Sequence, residues 1–226
     1  MTPRLSIIVP TLNEAAAICA TLEALQPMRG RGVEAIVADG GSTDGTPELA
    51  APLADKVVSA PRGRARQMNA GAGAAKGEVL LFLHADTRLP EGADRPVLDA
   101  LATRDRTWGR FDVHIAGSHW LLRVVAYLMN RRSRWTGIAT GDQALFVRRE
   151  TFEALGGFPD QPLMEDIELS RRLRRLGPPL CLRERVVTSG RRWETRGVWR
   201  TIWLMWRLRW LYWRGVAAER LAEEYR

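Results

Sequence analysis

The sequence predicts an α/β domain built on an open, mixed but mostly parallel sheet flanked by helices, with a helical extension after it. Short runs rich in Val, Ile and Leu alternate with segments of helical periodicity from Leu5 to about Ser189, a pattern typical of stacked βα units. Acidic or polar turns follow several apolar runs, where an open sheet leaves a crevice for a ligand. The chain has 226 residues and 46% hydrophobic content, enough for one buried core.

The elements follow from periodicity. In the first helix Ile18, Leu22 and Leu25 recur at the spacing of one helical face, and Thr11 and Glu14 have the spacing of a capping box. The apolar runs predict strands at 5–9, 33–38, 56–59, 78–83, 109–115 and 143–148. The helical patterns predict helices at 14–26, 45–53, 64–75, 92–103, 119–131, 150–155 and 165–176.

The composition changes after Gly190, so we predict a domain at 1–190 and a helical extension at 191–226. The extension carries a Trp stripe at helical spacing, formed by Trp199, Trp203, Trp206, Trp210 and Trp213. An adjoining stripe carries Arg200, Arg207 and Arg214. Indoles beside arginines are typical of a membrane interface. Packing of the Trp stripe on the domain, or on a second copy in a homodimer, is equally consistent with the pattern.

Charge is unevenly distributed along the chain, whose net charge is +8. Residues 1–60 hold four basic and seven acidic side chains, a net of −3, whereas residues 183–214 hold nine Arg against two Glu, a net of +7. The extension is therefore the part expected to face an anionic partner such as the inner membrane surface. An acidic amino-terminal part repels a phosphate backbone, which argues against nucleic acid.

Cysteine usage and the amino-terminal sequence predict the compartment. Cys19 and Cys181 lie within apolar patterns, and the amino terminus lacks the pattern of a secretory signal. No run of about 20 residues is free of charge. We therefore expect a cytoplasmic protein without disulfides, which could also lie peripherally on the inner face of the cytoplasmic membrane.

Three strand-end turns carry candidate ligand groups. PTLNE ends at Glu14, whose carboxylate could accept hydrogen bonds from a ribose, and DGGSTDGT begins at Asp39, which could contact a ribose or a base. HAD ends at Asp86, a candidate ligand for a divalent ion that bridges diphosphate oxygens. Each turn could instead be only a strand end with a helix cap. No GxGxxG follows the first strand and no GK[ST] loop occurs.

Two further groups could support catalysis. Glu165 and Asp166 open an amphipathic helix, where adjacent carboxylates can supply a general base or simply match the helix dipole. Arg191 and Arg192 could hold a leaving diphosphate, because guanidinium groups match phosphate geometry; an exposed basic turn is the alternative.

Six motifs in order resemble the family 2 glycosyltransferases, which have the GT-A fold, the Rossmann-like fold of nucleotide-diphospho-sugar transferases. The resemblance covers about residues 4–190, and it is closest to the small stand-alone bacterial enzymes labelled arsenosugar-biosynthesis glycosyltransferases. The motifs are SIIVPTLNE, VADGGSTDGT, PRGRARQMNAG, LLFLHADT, GDQALFVRRETFEALGGF and MEDIELSRRL.

The resemblance implies an inverting, metal-dependent hexosyl transfer from a nucleotide-diphosphate sugar, with a UDP-sugar favoured, to an acceptor hydroxyl. Asp166 would be the base with Glu165 beside it, and Asp86 would bind Mn²⁺ or Mg²⁺. Arg191 and Arg192 would contact the diphosphate. The implied nucleotide-binding residues are Pro10, Thr11, Glu14, Asp39, Gly40, Arg64, Asn69, His84 and Ala85, and the implied acceptor-binding residues are Gly141, Asp142 and Trp193.

The chain departs from the family pattern at two points. His84 stands where the family's DxD signature has its first carboxylate, and the Gln-x-x-Arg-Trp element is represented only by Gly190 to Trp193. The second departure argues against a processive synthase. The acceptor, lipid-linked or a small molecule, is expected at 108–141. A nucleotidyltransferase on a similar sheet and a non-enzymatic membrane adaptor are the alternative functions.

Overall fold

A computed structural model describes residues 3–103 and 105–225, and its central feature is an eight-stranded mixed sheet. The strands are β1 (Leu5–Thr11), β2 (Glu34–Asp39), β3 (Lys56–Ser59), β4 (Val79–Phe82), β5 (Thr87–Arg88), β6 (Trp108–Ala116), β7 (Phe146–Arg148) and β8 (Leu180–Ser189). The helices are α1 (Ala15–Arg29), α2 (Thr46–Ala50), α3 (Arg64–Ala74), α4 (Asp94–Ala100), α5 (Leu121–Thr136), α6 (Arg149–Ala154), α7 (Glu165–Leu176), α8 (Arg191–Arg196), α9 (Val198–Trp213) and α10 (Ala218–Tyr225).

The strand order is β3-β2-β1-β4-β7-β6-β8-β5. The amino-terminal half is parallel, because β1 pairs in parallel with both β2 and β4, and β3 is parallel to β2. Strand β7 is antiparallel to β4 and β6, while β8 is parallel to β6 and antiparallel to β5. The parallel carboxyl ends of β1, β2 and β4 lie at one edge, which is where an open α/β sheet binds ligands.

Alternate residues of the central strands enter two separate cores. Ile7 and Val9 of β1 pack with α1, α4 and α5 in one cluster, whereas Ile8 packs with α3 and α7 in the other. β2 divides in the same way, with Val37 in the first cluster and Ile36 in the second. Strands buried on both faces need continuous apolar runs, which is why LSIIV and EAIVA contain so few polar residues.

The structure corrects several predicted elements. Strand β8 was not predicted, because Arg183, Glu184 and Arg185 interrupt its apolar pattern at exposed positions. The predicted strand at 143–148 begins only at Phe146, since a 3-10 helix occupies 141–143. The capping box is wrong: Thr11 belongs to β1, and its hydroxyl donates to Asp39 instead of capping α1.

Helix α9 leaves the Trp stripe uncovered. All five indoles are between 56% and 78% exposed, so packing of the stripe on the domain is contradicted. The opposite side of α9 is buried, with Val198 in the first core and Leu208 against Met164 and Leu221. Within 3–103 and 105–225, no helix is both long and apolar enough to cross a membrane. The division of the chain at residue 190 stays a prediction.

Glu34 is a buried carboxylate that joins β1, β2 and the approach to β4. It accepts hydrogen bonds from the Ser6 hydroxyl at 2.6 Å and the Lys76 backbone N–H at 2.7 Å, and Lys56 lies 3.2 Å away. Burial alone would raise the pKa of Glu34, but these hydrogen bonds and the Lys56 charge together hold the pKa below its ordinary value. The ionised form therefore stabilises the fold.

We expect Glu34→Gln to change how stability depends on pH. A lowered carboxyl pKa contributes stability that is present above the ordinary value and is lost as pH falls through the folded-state value. Between about pH 5 and pH 3, the wild type should therefore lose more free energy of unfolding than Glu34→Gln, measured by urea unfolding. The control is Glu23→Gln on the exposed side of α1, which should follow the wild type; identical slopes for all three proteins would contradict this account.

Candidate functional site

A cleft of about 230 Å³ opens at the carboxyl edge of the parallel strands, between the start of α7 and the helices of the extension. Most of the predicted site residues line it: Pro10, Glu14, Arg64, His84, Ala85, Asp86, Gly141, Asp142, Glu165, Asp166, Arg192 and Trp193. These residues come from distant parts of the sequence. The fold thus brings the predicted base, metal ligand and diphosphate contact into one cavity.

The acidic pair lies at the start of α7, after a residue with unusual backbone geometry. Met164 has a φ of 66°, in the left-handed region that non-glycine residues rarely adopt. Glu165 is buried, and its carboxylate lies 3.9 Å from the Arg64 guanidinium. Asp166 accepts hydrogen bonds from the backbone N–H groups of Gly141 and Ile167, each at 2.7 Å. These two bonds fix the orientation of the Asp166 carboxylate.

Burial determines the proton affinity of the pair. It raises the pKa of Asp166 above the ordinary value, against the opposing effect of the two backbone hydrogen bonds. It also raises the pKa of Glu165, and the neighbouring Asp166 charge raises it further. A carboxylate with a raised pKa is a stronger base, so the arrangement suits Asp166 for accepting a proton.

Glu14 and Asp86 form a second acidic region in the same cleft. Burial, followed by the charge of Asp86, raises the pKa of half-buried Glu14. No group of three or more His, Cys, Asp or Glu side chains able to hold a metal ion occurs in 3–103 and 105–225. A hard divalent ion at Asp86 would thus take most of its oxygen ligands from a bound diphosphate or from water, as Mg²⁺ commonly does.

His84 lies against the turn at Gly141 and Asp142, and its buried Nε2 has no hydrogen-bond partner among the described residues. Its Nδ1 lies 3.4 Å from Asp142, and a Cβ added at Gly141 would be only 2.4 Å from its Nε2. Burial would raise the pKa of Asp142, but the contact with His84 and the charge of Arg64 lower it. We infer that His84 supports the Gly141–Asp142 turn, which in turn donates to Asp166.

Three predicted nucleotide-binding residues, Thr11, Asp39 and Gly40, lie outside the cleft lining. The carboxylate of Asp39 is occupied by four donors: the Thr11 and Ser42 hydroxyls and the backbone N–H groups of Gly41 and Ser42. Burial would raise its pKa, but the hydrogen bonds lower it. In this structure Asp39 shapes the turn after β2, and its predicted nucleotide contact stays a prediction.

Asn69 and Arg191 are also outside the cleft lining. The Asn69 amide donates to the Phe158 carbonyl and accepts from the Phe158 backbone N–H, both at 2.9 Å, so it joins α3 to the turn after α6. Arg191 is exposed, although its charge lowers the pKa of Glu14 in part. Their predicted roles in binding nucleotide and diphosphate stay predictions.

The cleft contains residues that the sequence reasoning missed. Thr188 and Ser189 belong to the unpredicted β8, and Tyr225 comes from the end of α10. The Tyr225 ring stacks 3.6 Å from the Arg192 guanidinium carbon. No local pattern marks Tyr225, because its position depends on how α9 and α10 fold back on the sheet.

Comparison with known proteins agrees with the geometry. The profile described as glycosyl transferase family 2 matches residues 6–156, most of the sheet and the approach to the cleft. The chain belongs to glycosyl transferase family 2. The family predicted from the six motifs is therefore confirmed.

Two curated relatives of this family 2 chain are longer bacterial proteins. A probable glycosyltransferase, YdaM of Bacillus subtilis, is 28% identical over 89% of this chain and 54% of the relative. The succinoglycan biosynthesis protein ExoA of Rhizobium meliloti is 32% identical over 76% of this chain and 58% of the relative. The chain spans just over half the length of both.

Among solved structures, the mannosyltransferase PcManGT from Pyrobaculum calidifontis, in complex with GDP-Man and Mn²⁺, is similar. The two are 26% identical with a TM-score of 0.62, over 83% of this chain and 57% of that chain. This likeness confirms the predicted GT-A fold with its mixed, mostly parallel sheet.

Proposed function

We propose that this protein transfers a hexosyl group from a nucleoside-diphosphate sugar, with a UDP-sugar favoured, to an acceptor hydroxyl with inversion. The observation that carries the proposal is the oriented Asp166 carboxylate, with its raised pKa, in the same cleft as Asp86 and Arg192. Membership of glycosyl transferase family 2 supports it. A nucleotidyltransferase and a non-enzymatic adaptor are not favoured, because neither uses an oriented base facing a diphosphate site.

In the proposed reaction Asp166 accepts the proton of the acceptor hydroxyl as its oxygen attacks the anomeric carbon. The bond from that carbon to the diphosphate oxygen breaks on the opposite side, and the nucleoside diphosphate leaves with the bonding electrons. Gly141 and Ile167 hold Asp166 through backbone N–H groups, so the proton is taken without reorienting the carboxylate. Single displacement produces inversion.

The cleft carboxylate that we propose for a divalent ion, Mn²⁺ or Mg²⁺, is Asp86. Asp86 would hold it together with the diphosphate, and the ion would offset the negative charge that grows on the leaving group. The Arg192 guanidinium would contact the diphosphate from the other side, with Arg191 as the second predicted contact. The complex of PcManGT with GDP-Man and Mn²⁺ supports a divalent ion here.

Asp166→Asn should reduce turnover by at least about a thousandfold, because the amide keeps the shape but cannot accept the proton. Nucleotide affinity should stay within a few-fold, as Asp166 does not contact the nucleotide in this proposal. Glu168→Gln, two residues along α7, is the control and should keep wild-type turnover. Retained turnover in Asp166→Asn, measured with the active donor, would remove Asp166 from the role of base.

Asp86→Ala should abolish the effect of Mn²⁺ on UDP or GDP binding. Calorimetry with and without Mn²⁺ measures this, and the wild type should bind one of the two nucleotides more tightly by about tenfold or more with the ion. Asp99→Ala, at the end of α4 and outside the cleft, is the control and should keep the full Mn²⁺ effect. An unchanged Mn²⁺ effect in Asp86→Ala would show that other groups hold the ion.

The exposed side of α9 supports a peripheral position on the inner face of the cytoplasmic membrane. Arg207 lies over the Trp203 ring at 5.3 Å, and Arg214 over the Trp210 ring at 5.4 Å. Paired indoles and guanidinium groups can place the ring among lipid headgroups and the charge on lipid phosphate. A lipid-linked acceptor would then be near the cleft. A soluble small-molecule acceptor, as in the narrower arsenosugar resemblance, is the alternative.

Vesicle sedimentation tests the membrane proposal. The wild type should sediment with vesicles containing anionic lipid at low salt and dissociate as salt rises, because the contact is partly electrostatic. The triple variant Trp203→Ala/Trp206→Ala/Trp210→Ala should lose most binding, whereas Leu176→Ala, an exposed apolar control on α7, should bind normally. The stripe would instead be assigned to a homodimer interface if two results were found together. The wild type would not bind vesicles, and gel filtration would show a dimer for the wild type but a monomer for the triple variant.

A further inference from the structure

The end of α10 reaches into the cleft from outside the predicted domain. Leu221 of α10 is buried against Leu208 of α9 and against Met164, the residue before the acidic pair. This packing brings the last described residue, Tyr225, into the cleft lining beside Arg192. The position of Tyr225 therefore depends on the same apolar cluster that borders the start of α7.

Tyr225 contacts Arg192 in two ways. Its ring covers one face of the guanidinium at 3.6 Å, and its backbone carbonyl accepts a hydrogen bond from Nη2 at 3.1 Å. Arg196 donates to the same carbonyl at 3.0 Å. A stacked and hydrogen-bonded guanidinium loses most of its rotational freedom, since both the plane and one edge are defined.

The remaining donors of Arg192 are not all used. Its Nε is buried and has no hydrogen-bond partner among the residues that the structure describes. Burial lowers the pKa of Arg192 below its ordinary value. A buried donor without a partner is costly, so the described protein groups alone do not fully satisfy the Arg192 guanidinium.

We propose that Tyr225 is a positioning residue that orients Arg192 to bind a phosphate oxygen of the donor diphosphate. The inference rests on the proposed function and deepens it, because it makes the carboxyl-terminal helix part of the donor site. The aromatic ring orients the guanidinium plane and the carbonyl occupies Nη2, while the Arg192 side chain lines the cleft that would hold the diphosphate. The phenol hydroxyl is not required for this role.

The experiment compares nucleotide binding in ring-preserving and ring-removing variants. The dissociation constants of UDP and GDP with Mn²⁺ are measured by calorimetry for the wild type, Tyr225→Phe, Tyr225→Ala and Arg192→Ala. For whichever nucleotide the wild type binds, Tyr225→Ala should raise the dissociation constant about tenfold, and Tyr225→Phe should raise it less than about twofold. Glu223→Ala, exposed on the same helix, is the control and should leave binding unchanged.

A double-mutant cycle separates positioning from simple support of the fold. If Tyr225 acts through Arg192, Tyr225→Ala/Arg192→Ala should bind no more weakly than Arg192→Ala alone. Additive losses would overturn the proposal, because Tyr225 would then act independently of Arg192. Thermal unfolding of every variant is measured in parallel. If Tyr225→Ala lowers the unfolding temperature, Tyr225→Leu takes its place, because leucine keeps apolar packing but lacks the aromatic face.

Other outcomes identify which claim fails. Tighter or unchanged binding in Tyr225→Ala, with weaker binding in Arg192→Ala, overturns the positioning role and leaves the donor site intact. Equal losses in Tyr225→Phe and Tyr225→Ala also overturn it, because the hydroxyl would then be the important group. A wild-type protein that binds neither nucleotide overturns the proposed function and this inference together.

Discussion

The hydrogen bond from the Gly141 backbone N–H to Asp166 connects the two sides of the cleft. One side is the turn at 141–143, where Asp142 contacts His84, a residue that follows β4. The other side is the start of α7, where Met164 adopts a left-handed backbone conformation. A residue held in that conformation costs free energy, of order 1 kcal/mol or more, and persists only where its surroundings require it. The Met164 side chain is buried here against Leu208 and Leu221.

Helix α9 has two opposite faces with different surroundings. Thr201, Met205 and Arg209 point to the cleft, whereas the Trp stripe lies on the other side of the same helix, exposed. The spacing explains this, because positions two residues apart on a helix differ by about 200°. Contact of the stripe with a membrane or a second subunit would thus act on a helix that also borders the cleft. The extension is structurally continuous with the cleft, wherever the domain boundary is drawn.

The sequence predicts the sheet best where strands are buried on both faces, because apolar runs such as LSIIV have no alternative environment. It fails for β8, whose middle is charged and exposed, and for the capping box, since the Thr11 hydroxyl finds a stronger partner in the Asp39 carboxylate. The residues of the candidate site also differ in how far local sequence predicts them. Asp86 and Asp166 are recognisable from local motifs, whereas Tyr225 is not, because only tertiary packing brings α10 to Arg192.

The charges in the cleft explain why a diphosphate would need both a cation and fixed arginines. Glu14, Asp86, Glu165 and Asp166 share one small cavity, and their mutual repulsion contributes to the raised pKa values of Glu14 and Glu165. A diphosphate entering beside ionised carboxylates is repelled unless positive charge is close to it. Arg64 lies near Glu165 and so is partly neutralised by it, whereas Arg192 and Arg209 also line the cleft and bring positive charge to it. Arg192 is half-buried, and burial lowers its pKa. A half-buried guanidinium can contact an anion only in a limited range of orientations, so its orientation matters as well as its charge. The Tyr225 ring, stacked on the Arg192 guanidinium, helps to keep that orientation.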